Sequence, residues 1–113
     1  MFSICVSDVD DRLRNHGFLL GPTGWELAPA YDLNPVEDGD GLSLNISETD
    51  NTQDLALARD VAKHFRLKPG DADVIVEEVV SVVRAWRDEA AAAGLPRAEQ
   101  DRMARAFRVA DAA

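Results

Sequence analysis

The feature that most constrains this chain is a change of texture near its middle. Residues 1–53 hold five of the seven glycines and three of the five prolines, Pro22, Pro29 and Pro35. Glycine and proline punctuate regular structure, so this half reads as turns, short strands and loops. Residues 54–113 are rich in Ala, Val, Arg and Glu and read as helices. A chain of 113 residues has room for one domain. Its expected parts are a loop-and-hairpin region over residues 1–50 and a helical bundle over residues 51–113. The expected class is mostly α (α+β): a short N-terminal helix or loop, a small antiparallel β-hairpin, then a three-helix bundle.

Local patterns place these elements. Phe18-Leu19-Leu20 and Trp25-Glu26-Leu27 flank Gly21-Pro22-Thr23-Gly24, which reads as a hairpin. Residues 42–46 alternate at period two, as a further strand or an extended loop would. The first long helix is expected from Thr52 or Gln53 to about Phe65, with Leu55, Ala58, Val61, Ala62 and Phe65 on one face. Pro69-Gly70 breaks the chain, and Asp71 or Asp73 is expected to cap the next helix. There Val74, Ile75, Val79, Val82, Val83 and Trp86 recur at helical spacing, up to a stop at Gly94. Pro96 opens a last helix with Ala98, Met103, Ala106, Phe107 and Ala110 turned inward.

Charge excludes some functions. The net charge is −9, and it is uneven: residues 1–56 carry 11 acids against Arg12 and Arg14, whereas residues 57–113 carry 10 of each sign. Direct nucleic-acid binding needs a basic face, so it is not expected. The acidic half reads as solvated charge or as a divalent-cation site. No apolar run is long enough to cross a bilayer, and no secretory signal opens the sequence. Cys5 is the single cysteine and reads as a buried helix residue. A cytoplasmic location is the expectation.

The chemistry concentrates in residues 7–18. Asp10 and Asn15 have the D-x-x-x-x-N spacing of a kinase catalytic loop. In that chemistry the Asp orients the attacking hydroxyl, and the Asn carbonyl oxygen helps hold magnesium on the ATP phosphates. After the hairpin comes Ala30-Tyr31-Asp32-Leu33, so base, metal ligand, hairpin and second metal ligand follow in kinase order. Oxygen donors of this kind suit Mg2+. Residues 38–41, Asp-Gly-Asp-Gly, superficially suggest a calcium loop, but Leu42 and Thr49 stand where further ligands are needed.

VSDVDDRLRNHGFLL followed by GWELAPAYDLNP resembles the catalytic segment of HipA-like serine/threonine kinases, the toxins of bacterial toxin–antitoxin pairs. The family pattern is approximately N-x-D-x-H-x-[KR]-N, a hairpin, then L-x-P-x-Y-D. The resemblance implies that Asp10 is the catalytic base and that Asn15 and Asp32 are Mg2+ ligands. It implies that Arg14 neutralises phosphate charge, and that Pro29 and Tyr31 shape the loop before Asp32. Asp8 and Arg12 depart from the family, which commonly has Asn and His there. No Gly-rich phosphate loop and no matching lysine occur in these residues. The expectation is therefore a truncated C-terminal domain of a HipA-like kinase, inactive alone. The alternatives are a protein-interaction module for an antitoxin-like or kinase partner, and a kinase half complemented in trans. Removal of a larger neighbour would uncover Phe2, Ile4, Cys5, Val6 and the hairpin, which points to a homodimer or a partner protein.

Overall fold

In the computed structural model, which describes residues 1–113, the chain runs from a short helix through a hairpin and a long irregular segment to a set of helices. This is an α+β fold of the expected kind. Helix α1 (Phe2–Val6) stops where Ser7 adopts left-handed backbone, φ 52°. Five residues are too few to hold a helix in water, so packing must hold it. Ile4, Cys5 and Val6 are buried and form one cluster with Leu42, Leu55, Val76, Val80, Val83 and Ala110. Each large aliphatic side chain so buried contributes about 1.5–3 kcal/mol. The expectation that Ile4, Cys5 and Val6 face an uncovered surface is thus overturned. The last helix, α6 (Arg108–Ala112), packs on α1 and covers it. Ala106 and Ala110, both fully buried, are small enough to let the backbones approach. Phe2 alone in that stretch stays exposed.

Strands β1 (Phe18–Gly21) and β2 (Gly24–Leu27) pair antiparallel, with Phe18 opposite Leu27 and Leu20 opposite Trp25. The turn is Pro22-Thr23, and Gly24 takes a φ of 133°, which a side chain would strain. Residues 42–46 form no strand. Leu42 donates its N–H to Asn51 C=O at 2.9 Å and accepts the Asn51 amide at 2.6 Å, while Ile46 N–H bonds Asp50 C=O. These bonds close a loop whose anchor is buried Leu42.

Helix α2 (Leu55–Asp60) begins at Asp54, whose carboxylate accepts the Ala56 N–H at 2.8 Å. It is shorter than expected: a 3₁₀ turn, Ala62–Phe65, follows, and Phe65 points to solvent. Helix α3 (Pro69–Arg84) starts two residues or more before the expected caps, because Pro69 fits the first helical position. Asp71 lies in its first turn and Asp73 pairs with Arg59 at 2.7 Å, so neither is a cap. Its buried stripe is Ala72, Val76, Val80 and Val83; Val74 and Val82 are exposed, contrary to the expected face. Helix α4 (Trp86–Ala92) is separated from α3 at Ala85. Arg84 Nε bonds Ala110 C=O at 2.9 Å, and Trp86 stacks on Phe107 with ring centres 4.2 Å apart. Both flanks of the break are thus tied to the chain's last segment. Gly94, φ 80°, ends α4 as expected. Helix α5 (Arg97–Met103), with Pro96 at its cap, passes through a 3₁₀ turn, Ala104–Phe107, into α6. Ala98 is exposed and Gln100 is buried instead, its amide on Leu95 C=O. No helix is long and apolar enough to cross a membrane.

Candidate active site

The hairpin assembles the site. Below the Phe18–Leu27 pair, Ala28 N–H bonds Gly17 C=O at 2.8 Å, so the two arms stay together beyond the strands. On one arm a 3₁₀ turn, Leu13–Asn15, presents Arg14 and Asn15; on the other lie Tyr31 and Asp32. Tyr31 donates its hydroxyl to Arg14 C=O at 2.8 Å. One residue further along each arm, Asn15 Nδ2 donates to Asp32 Oδ2 at 2.5 Å. Two residues seventeen positions apart thus meet, and Tyr31 pins their backbones.

Asp32 adopts left-handed backbone, φ 58°. Asp tolerates this region better than most residues, yet such a residue persists only where its surroundings hold it. Here both carboxylate oxygens are held, Oδ2 by Asn15 and Oδ1 by the Asn34 amide at 2.8 Å. Asn34 was not among the residues singled out from the sequence, and its contact with Asp32 is made by its side-chain amide. Asn15 is buried although it is polar, and it gains from Asp32 the partner that burial demands.

Asp10 is exposed and does not join this pair. Its Oδ1 is held by Arg12, at 2.7 Å from Nη2 and 2.9 Å from Nε. Arg14 projects an exposed side chain from the turn beside Asn15. His16 Nε2 lies 2.8 Å from Asp11 Oδ1. Asp8 is 1% exposed, and its Oδ2 has no hydrogen-bond partner. Burial raises its carboxyl above the usual range; the charge of Asp11 adds to this, a backbone bond from Asn34 opposes it, and Asp32 and Asp10 add smaller pushes upward.

No group of three or more His, Cys, Asp or Glu side chains is placed to hold a metal unaided. The local donors are instead one carboxylate and one amide that meet, in a field of neighbouring carboxylates. This set fits Mg2+, which takes one or two protein oxygens and fills its remaining positions with water and phosphate. The pair sits on open surface. A largely apolar cavity of about 330 Å3 lies elsewhere, between α1, the 42–46 loop and the α2–α3 corner, and neither Asn15 nor Asp32 lines it.

The calcium-like acids have another fate. Glu37 pairs with Arg102, Asp38 with Arg105, and Asp40 with Arg105 and Arg108, at 3.3–4.0 Å. They are counter-charges for the last helices.

Comparison with known proteins gives one family. The HipA-like C-terminal domain matches residues 1–86, which include the hairpin, both arms and α3. Neither curated proteins nor solved structures gave a significant match. Since this match spans most of its length, the chain belongs to the HipA-like C-terminal domain family.

Proposed function

We propose that this chain carries the catalytic and Mg2+-holding part of a HipA-like serine/threonine kinase of a toxin–antitoxin system. Phosphoryl transfer then needs a nucleotide clamp from another stretch of polypeptide. The observation that supports this most is the bond from Asn15 to Asp32, buttressed by Tyr31 on Arg14 C=O. Mg2+ bound with ATP supplies charge neutralisation at the phosphates. Asp32 and the Asn15 carbonyl oxygen are the donors that would hold it. Asp10 would accept the proton of the attacking hydroxyl through Oδ2, since Arg12 occupies Oδ1. Arg14 would face phosphate charge from the rim. Positioning and electrostatics supply most of the catalysis in this chemistry, so a base and two ligands without a phosphate-gripping loop do not suffice.

The test is transfer of labelled phosphate from ATP to a serine-containing protein. The chain alone is expected to transfer none. Mixed with the N-terminal part of a HipA-like kinase it should gain transfer that Asp10→Asn lowers by about 10²–10⁴-fold. Transfer that survives both Asp10→Asn and Asp32→Asn contradicts the assignment.

A second reading is favoured by one observation. Phe18, Leu20, Trp25 and Leu27 are all exposed, Trp25 by 71%, on a hairpin that no helix packs against extensively. A lone hairpin is marginal in water, and exposed apolar patches drive association. In this reading the hairpin docks a partner, an antitoxin-like or kinase chain or a second copy.

A further inference from the structure

The last helices carry arginines at 102, 105 and 108, three apart. In an α-helix that spacing drifts around the axis. Here the middle of the run is a 3₁₀ turn, Ala104–Phe107, in which residues three apart eclipse, so the arginines are held towards one side. That side faces the acidic loop of residues 37–40, through the ion pairs described above. Arg102 and Arg105 are half exposed or more, and such pairs contribute little. Arg108 differs. Its Nη1 donates to Ser7 Oγ at 3.1 Å and its Nη2 to Gln53 Oε1 at 2.8 Å, with Asp40 at 3.5 Å.

Ser7 is the hub this clasp acts on. It is fully buried, and its hydroxyl donates to Ala106 C=O at 2.7 Å. Its own C=O accepts the N–H of Val9, leading into the Asp10 segment, and of Val36, four residues after Asp32. The loop lies so close that a Cβ on Gly39 would sit 2.8 Å from Val9 Cγ1. The two strands of chain that bear Asp10 and Asp32 therefore meet at Ser7, and Arg108 fixes Ser7 from outside the stretch matched by the family.

We propose that Arg108 is a positioning residue for the Asn15–Asp32 pair, acting through Ser7 and the loop of residues 36–40. This rests on the reading of that pair as a divalent-metal site. Residues bonded directly to metal ligands commonly change metal affinity by about 10–100-fold, and Arg108, acting from further out, is expected at the low end of that range.

The experiment uses the whole chain, Arg108→Gln, Ser7→Gly and the rim control Arg102→Gln. Glycine suits the left-handed backbone at residue 7, so Ser7→Gly removes the hydroxymethyl group without adding backbone strain and serves if Arg108→Gln does not fold. Two quantities are read: amide exchange of Val36 by NMR without metal, and Mn2+ affinity from the signal of free Mn2+. Arg108→Gln and Ser7→Gly should speed Val36 exchange and weaken Mn2+ binding, each by about tenfold. Arg102→Gln should change neither. Unchanged Val36 exchange in Arg108→Gln overturns the clasp. Faster exchange with unchanged Mn2+ affinity overturns its action on the pair. A parent chain that binds Mn2+ no better than Asp32→Asn overturns the metal reading itself, and Val36 exchange still judges the clasp.

Discussion

Asp8 is a charge in the wrong place. Its carboxyl is buried, one oxygen is unpaired, and the family commonly has Asn at this position. An acid whose pKa is raised on folding favours the native state only at low pH. That benefit is complete below its unfolded value, about 3.9, and is lost as pH rises through the raised value. At neutral pH the buried charge therefore destabilises the fold. Asp8→Asn keeps the shape and removes the charge. It is expected to stabilise by about 1–2 kcal/mol at pH 7, a rise of several degrees in Tm, and by almost nothing below about pH 4. Thermal melts of both chains across this range check it; equal Tm at pH 7 contradicts it. At this scale the sequence was informative where spacing carries chemistry. Asn15 and Asp32 were legible because each sits in a short motif. Asn34 was less so, because its role exists only once Asp32 turns left-handed. Arg108 on Ser7 was not legible at all, since 101 positions separate them.

Among the elements, the valine-rich helix shows why periodicity has limits. Six valines in residues 74–83 spread over about two thirds of the circumference of α3, so the pattern alone does not say which of them are buried. The buried stripe is selected by what packs on it, α1 and α6, and begins at Ala72, a residue too small to weigh in a hydrophobic pattern. The hairpin was legible because its Gly-Pro turn and flanking apolar runs are local signals. The single long helices were not realised because tertiary contacts bend the chain at Ala85 and tighten Ala104–Phe107 into a 3₁₀ turn. Ala106 tests the packing of this last segment on α1. It is fully buried, and Ala106→Leu adds volume where the backbones approach. Overpacking should cost about 1–3 kcal/mol, read as a lower denaturation midpoint. A midpoint equal to the parent's contradicts the close approach of the Ala104–Phe107 turn to α1.

The whole molecule is elongated, 45 × 32 × 25 Å, with a radius of gyration of 15.3 Å. A compact chain of this length would have about 13 Å. The uneven charge seen in the sequence is partly closed by the fold, because residues 37–40 meet the C-terminal arginines. What stays open is the hairpin's apolar face. If that face docks a partner or a second copy, Leu20→Ser with Trp25→Ser should leave stability within about 0.5 kcal/mol of the parent. The same change should abolish concentration-dependent association in sedimentation. Sedimentation of the parent as a monomer at every concentration, with no partner bound through this face, contradicts the docking role.

In the proposed function Asn15 and Asp32, joined across the hairpin base, act as a magnesium–nucleotide half-site. Thermal shift tests it most directly, since a ligand that binds only the native state raises stability as RT ln(1 + [L]/Kd), and weak sites show at millimolar concentration. The chain and Asp32→Ala would be melted without ligand, with Mg2+, and with Mg2+ and ATP. The parent with Mg2+ and ATP is expected to show a rise in Tm that Asp32→Ala removes. An unchanged parent, or an equal rise in Asp32→Ala, would contradict it.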